Sequence, residues 1–297
     1  MILVTGATGH VGGELVRRLA ASGEPVRAMT RRPSEARLPK GVRAVYGDAD
    51  DPASLEAAFA GVSGAFLMSA QGVGTAQGPT HDIALAGAAA RAGVGRVVKL
   101  SVLDGGAGTD VIARWHTAAE AAVTAPTRGW AWTLLRPGRF MSNALQWTGQ
   151  LTAGDEVRIP FADRPAASID PADVAEIAAR ALTTEGHEGA RYELSGPQSL
   201  TPVEELSVLA GVLGRDLHAV PLPPEAARAG MSLPHSRLRS SGGTPIGFPP
   251  EVMEAVMRRT LGGDRGAEVL PTVEKVLGRP ARTFAEWAAA HAGAFGR

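Results

Sequence analysis

The chain contains no cysteine, which excludes disulfides, thiol nucleophiles and cysteine-held metals and leaves nothing that demands an oxidising compartment. It has no surplus of either charge. Lys plus Arg and Asp plus Glu number 30 each, so the chain as a whole offers no basic field for a nucleic-acid backbone or an anionic membrane. No apolar run reaches membrane-spanning length, and the opening MILVTGATG reads as a strand and turn rather than as a basic and apolar leader. The expectation is a cytoplasmic protein, monomer or homodimer, acting on a small molecule without nucleic-acid or membrane partners. The histidines show no spacing with carboxylates that would build a metal site, so no metal is expected. Tyrosine is scarce as well, with only Tyr46 and Tyr192.

What is present fits an α/β protein: 44% hydrophobic and 20% charged residues with 37 glycines match a globular chain rather than a disordered one. Up to about residue 135, apolar β-branched runs (ILVTG, PVRAM, VRAVYGD, GAFLMS, RVVKLS) alternate with helix-like segments. That alternation predicts a doubly wound parallel sheet, buried on both faces. TLLRP reads as a sixth strand and YELSG as a further one, while SIDPADVAEIAARAL reads as a helix with Asp170 at its N-cap and Pro171 in its first turn. Thr201 with Glu204 and Thr283 with Glu286 have capping-box spacing, which predicts a mainly helical C-terminal third. Residues 220–250, rich in Pro, Gly, Ser and Arg, read as a long loop.

The most informative motif lies between the first strand and the first helix, in VTGATGHVG. Gly6 permits the tight turn, Gly9 lets a pyrophosphate approach the backbone, and Gly12 lets helix and strand pack closely. Thr8, His10 and Val11 complete the turn at a helix N-terminus whose N–H groups suit phosphate. His10 is read as a phosphate contact or a local packing residue. The second strand ends at Arg31 and Arg32, where an NAD enzyme would carry an acid for the ribose 2′-hydroxyl. Guanidinium groups there favour a 2′-phosphate, so NADP(H) is the expected cofactor. Asp48 and Ala49 after the third strand are placed toward the adenine edge, and Ser69 after the fourth toward the pyrophosphate or ribose.

TGATGHVG, the two arginines after the second strand, GDADDPASLEAAFAGVSGAF, LLRPGRFMSN, SIDPADVAEIAARAL and LSGPQSLTPVEELSVLAGVLGR together resemble the NmrA-like branch of the atypical short-chain dehydrogenases, over most of the chain. The resemblance implies a Rossmann domain (1–146 with 164–184) and a smaller, discontinuous substrate lobe (147–163 with 185–297). It also implies NAD(P)H-dependent reduction of a carbonyl, quinone or related conjugated, possibly polycyclic, molecule. The family also holds redox sensors, which keeps a catalytically silent NADP(H)-responsive regulator open, and the same cleft would serve a non-redox isomerase or dehydratase.

The wider superfamily uses a Tyr-x-x-x-Lys pair, but Tyr46 and Tyr192 are followed at that spacing by Asp50 and Gly196. Aligning on Glu120, which resembles the family's glutamate downstream of the motif, puts Ile112 at the tyrosine position and His116 at the lysine position. His116 is therefore the candidate general acid, with Glu120 four residues on and placed to raise its pKa. Ser101 resembles the serine that orients a substrate oxygen. Trp115, Phe140, Met141, Asn143 and Trp147 are the expected lining of a large aromatic pocket, against the alternative that each packs a core.

Overall fold

Each apolar run of the N-terminal half forms a strand: β1 (Ile2–Val4), β2 (Val26–Thr30), β3 (Arg43–Tyr46), β4 (Gly64–Leu67), β5 (Arg96–Leu100) and β6 (Ala131–Pro137). With β8 (Ala190–Leu194) they make one sheet in the order β3-β2-β1-β4-β5-β6-β8. From β3 to β6 the pairs are parallel, Ile2 lying against both Val26 and Gly64. Strand order reverses at β1 and β4, the switch point whose carboxyl-end crevice receives ligands in open α/β sheets. The computed structural model describes residues 1–69, 73, 78–105, 109–223, 225–226, 250–262 and 265–296, apart from the side chains of 259–262. No described helix is long and apolar enough to cross a membrane.

Two units divide the chain, Met1–Pro137 with Pro171–Glu193 and Gly138–Asp170 with Leu194–Arg297. In the first, helices α1 (His10–Ala21), α2 (Pro52–Phe59), α3 (Thr80–Arg91), α4 (Val111–Thr124) and α6 (Pro171–Thr183) accompany the sheet. Every residue of β4 is buried, as a strand covered on both faces requires. On one face Leu55, Phe59, Leu67, Leu85 and Val97 share a core with Trp130, whose indole N–H donates to the Val123 carbonyl at 2.9 Å. Each such Leu or Phe contributes about 1.5–3 kcal/mol by burial. Helix α1 packs on α6, where Arg18 and Glu176 pair at 3.0 Å.

The second unit holds α5 (Thr148–Ala153), α7 (Pro202–Leu213), α8 (Pro250–Gly262), α9 (Thr272–Leu277) and α10 (Phe284–His291). Both expected capping boxes are formed, Thr201 with Glu204 on α7 and Thr283 with Glu286 on α10. Trp147, Leu151, Phe284, Trp287 and Phe295 make its core. Sequence reading missed a two-stranded parallel sheet, β7 (Glu156–Pro160) with β9 (His218–Leu222). Of the segment read as a loop, 220–222 therefore belongs to a strand, while 224 and 227–249 lie outside the described residues.

The unit boundaries differ from those expected. Residues 138–146 and 164–170 go with the second unit, where Met141 and Ala144 pack into its core and the Met141 N–H donates to the Ile169 carbonyl at 2.9 Å. Residues 185–193 go with the first because β8 extends the large sheet.

Candidate nucleotide site and active centre

The glycine turn is shaped as its spacing predicts. Gly6 has φ +61°, and a Cβ there would lie 2.2 Å from the Met68 sulfur. A Cβ on Gly12 would lie 2.2 Å from the Gly6 carbonyl oxygen, so α1 lies too close to the preceding turn for any side chain there. Gly9 is different, because a Cβ there would meet only the Gly6 oxygen, at 3.3 Å. The protein's own packing makes little demand for glycine at that position, whereas a ligand lying on the backbone would. Gly9 is the N-cap of α1 and lends it no side-chain hydrogen bond, and the first turn carries no acid. Thr8, Gly9 and His10 are exposed and Val11 is buried. These are the properties of a cradle for the pyrophosphate of a dinucleotide. Beneath it Thr5, unnoticed in the sequence, ties the switch point together. Its hydroxyl donates to the Phe66 and Met68 carbonyls at 3.1 and 2.9 Å and accepts from the Met68 N–H at 2.7 Å.

Because β1 to β4 are parallel, Arg31 and Arg32, Asp48 and Ala49, and Ser69 all leave the sheet at the edge that carries the glycine turn. Arg31 is exposed and makes no ion pair among the described residues. Arg32 pairs with Glu35 at 3.0 Å. Asp48 is part of a turn, its carboxylate accepting from the Asp50 N–H at 3.2 Å and its own N–H donating to the Ser54 hydroxyl at 2.9 Å. Ala49 and Ser69 are half-buried.

Ser101 follows β5, and α4 carries His116 and Glu120. Ile112, His116 and Glu120 share a flank of α4, with His116 half-buried and Glu120 buried. Glu120 also has partners that helical spacing does not reveal. Its Oε1 accepts from the Ser101 hydroxyl at 2.6 Å and from Arg136 Nε at 2.9 Å, and its Oε2 accepts from Arg136 Nη2 at 2.5 Å. Both carboxylate oxygens are thus engaged by groups from β5 and β6. The bond from Glu120 is the foremost cause holding the Arg136 guanidinium above its usual pKa. Ser101 therefore spends its one proton on Glu120 and has only lone pairs left for anything else. Gly105 closes over them, since a Cβ there would lie 2.9 Å from Glu120 Oε1 and 3.0 Å from the Ser101 oxygen.

Of the expected pocket residues, Trp115 is buried on α4 in the first unit, while Phe140, Met141, Asn143 and Trp147 follow β6 in the second. Met141 and Trp147 are core residues there, 2% and 1% exposed, whereas Phe140 is half-buried and Asn143 exposed. None of the four lines a cavity of about 490 Å³ in the second unit, which Phe161, Arg164, Thr201, Val203 and Leu222 help to form. Two buried ion pairs also escaped sequence reading. Lys99 on β5 meets Asp82 at 2.6 Å. Glu205 on α7 accepts from Arg139 at 2.8 Å and from Ser168 at 2.8 Å, and its burial pushes the carboxyl pKa up despite them. Each announces itself as a charge written into an apolar face.

The chain is similar to known NAD(P)H-binding proteins. An NAD(P)H-binding family model matches residues 6–185. The chain is 40% identical to a (4-alkanoyl-5-oxo-2,5-dihydrofuran-3-yl)methyl phosphate reductase of Streptomyces griseus subsp. griseus, with 99% of each chain covered. It is 35% identical to an NAD(P)H azoreductase of Xenophilus azovorans, covering 100% of this chain and 99% of that one. Among solved structures it is similar to an NADPH-dependent quinone oxidoreductase from Escherichia coli complexed with NADPH, with a TM-score of 0.76 and 25% identity over 98% of this chain and 99% of the other. Relatives of this kind are reductases, and the switch-point sheet, the glycine cradle and the matched residues together establish that the chain belongs to the NAD(P)H-binding family.

Proposed function

We propose that the protein is an NADPH-dependent reductase of a conjugated, electron-poor small molecule such as a quinone, an azo compound or an acyl-substituted unsaturated lactone, working in the cytoplasm. The observation that carries the cofactor half is the exposed glycine cradle at α1 beside Arg31, a guanidinium without an ion pair among the described residues. Gly6, Thr8, Gly9, His10, Val11 and Gly12 hold the pyrophosphate, Arg31 takes the 2′-phosphate, and Asp48, Ala49 and Ser69 border the adenosine. When bound, NADPH supplies the hydride.

The substrate half rests on what the chain lacks. Neither tyrosine has a lysine four residues on. Tyr192 is 2.8 Å from the His187 ring, and Tyr46 ends the edge strand β3. A simple ketone becomes an alkoxide as hydride arrives and calls for a matched acid. A conjugated acceptor instead spreads the charge over its own oxygens or nitrogens, so a proton delivered by His116 or by water suffices. His116 is the proposed proton donor. Ser101, its hydrogen committed to Glu120, acts as a positioning residue rather than as a donor to substrate oxygen.

The test is NADPH oxidation by purified protein with quinones, azo dyes, unsaturated acyl lactones and saturated cyclic ketones, with products identified. Turnover of the conjugated compounds and not of the saturated ketones is expected. Turnover of saturated ketones at equal rates, or none of any acceptor, refutes the reading. Tighter binding of NADH than of NADPH refutes the part given to Arg31.

A further inference from the structure

We propose that Glu35 is a specificity-determining residue that holds Arg32 back from the cofactor's 2′-phosphate and so keeps the preference for NADP(H) over NAD(H) below what two arginines would give. This rests on the reading, made above, that the carboxyl end of β2 meets the 2′-phosphate.

The two arginines that follow β2 are not equivalent. Arg31 makes no ion pair among the described residues, whereas Arg32 Nη1 lies 3.0 Å from Glu35 Oε2. The local chain fixes that pairing. Pro33 opens a single 3-10 turn, Pro33–Glu35, with its φ preset by the ring. The Glu35 N–H donates to the Arg32 carbonyl at 3.2 Å, the Ala36 N–H to that of Pro33 at 3.3 Å, and the Arg32 N–H to the Thr30 hydroxyl at 3.2 Å. Glu35 is thereby held beside Arg32, its i−3 neighbour. It is also the only acid from Arg31 to Arg43, a stretch that carries Arg31, Arg32, Arg37, Lys40 and Arg43. Within that stretch, Glu35 is the one carboxylate among five cations, and it is paired with one of the two arginines that follow β2.

Both members of the pair are well exposed, 76% for Arg32 and 63% for Glu35. The pair is therefore weak and exchangeable. A phosphate presents three acceptor oxygens and nearly two charges, so it outcompetes the carboxylate, but binding then gives up the existing pair and sets a phosphate near a released carboxylate. A ribose with a free 2′-hydroxyl meets neither cost. The device lowers affinity for the phosphorylated nucleotide alone.

The experiment is calorimetric titration of 2′,5′-ADP and of 5′-AMP into the full-length protein, as wild type, Glu35→Gln, Arg31→Ala, Arg32→Ala and Arg32→Ala with Glu35→Gln. Glu35→Gln is expected to tighten 2′,5′-ADP about two- to fivefold, the range open to an exposed ion pair, with 5′-AMP unchanged. The gain should shrink in the Arg32→Ala background and fade near 1 M salt, where the screening length is about 3 Å. No gain, an equal gain for both nucleotides, or a gain of the same size without Arg32 overturns the proposal even if Arg31→Ala still weakens 2′,5′-ADP selectively. If neither arginine variant separates the two nucleotides, the underlying assignment of the 2′-phosphate falls, and the proposal falls with it.

Discussion

The Glu120–Arg136 pair permits a prediction whose two halves differ in pH dependence. Glu120 is 8% and Arg136 13% exposed at the side chain, so removing one partner strands the other in a poorly solvated place, at a cost of about 3–5 kcal/mol. In Glu120→Ala the guanidinium stays charged at every accessible pH. Glu193, 4.0 Å away and 29% exposed, and the nearby Asp104 carboxylate offset part of the loss and put the expected cost near the bottom of that range, about 3 kcal/mol. In Arg136→Ala the stranded group is a carboxylate still bonded by Ser101, and it can relieve itself by binding a proton. Protonation removes the buried, uncompensated charge, so the variant recovers stability as pH falls. Urea unfolding of wild type, both single variants and the double variant at pH 8 and pH 5.5 reads this directly. Glu120→Ala should lose a similar amount at both pH values, Arg136→Ala distinctly less at pH 5.5, and the double variant less than the sum of the singles. Equal pH dependence of the single variants, or a Glu120→Ala loss under about 1 kcal/mol, would refute the claim that this buried pair is ionised and holds β5, α4 and β6 together.

Gly9→Ala should fold with stability within about 1 kcal/mol of wild type yet bind NADPH more than about tenfold more weakly, because its Cβ enters the cradle; Gly12→Ala, with its Cβ 2.2 Å from the Gly6 oxygen, should lose about 1–3 kcal/mol as well, and thermal melts paired with cofactor titration separate the two. Thr201→Ala deletes the capping box of α7 and should lower the urea-unfolding free energy by about 0.5–2 kcal/mol, so an unchanged midpoint would count against that cap. His187 has its pKa lowered, first by burial and further by Arg96 and Arg180 against the opposing Glu188. The unfolded chain therefore binds the proton more readily, and stability is full above about pH 6.5 and declines as pH falls through that value. The wild-type unfolding midpoint should drop more than that of His187→Gln between pH 7.5 and 5.5, and parallel curves would exclude the histidine as the cause.

Much of the fold was legible because its rules are local. β-branched runs, a glycine triplet between strand and helix, and threonine–glutamate caps each act over a few residues, and each appears where its pattern stands. The strands β7 and β9 were not legible for the converse reason. Five residues apiece, they pair across about 60 positions of sequence, Glu156 against His218, and HAVPL carries a proline, which lacks a ladder donor and argues against a strand when read alone. The same distance problem misassigned the boundary after β6, since what holds Met141 in the second unit is a hydrogen bond to Ile169, and no periodicity reports it.

Glu120 shows how such a contact could have been found. Helical spacing ties it to His116, because spacing sees only neighbours on the same helix. Its bonded partners come from other elements, Ser101 after β5 and Arg136 on β6. The clue lay in the surroundings: Trp115, Ala119 and Val123 declare an apolar face on α4, and Glu120 stands between the last two, so a carboxylate there needs a cation from elsewhere. TLLRP places an arginine in an otherwise apolar strand, with the complementary need. Lys99 within RVVKL and Asp82 in the first turn of α3 pose the same problem and solve it the same way, at 2.6 Å. A charge inside an apolar pattern is costly enough alone that its partner must exist, and matching such charges across predicted neighbouring elements turns a break in the pattern into a statement about tertiary structure. Applied to β5, α4 and β6, that matching assigns Arg136 to Glu120 from the sequence pattern.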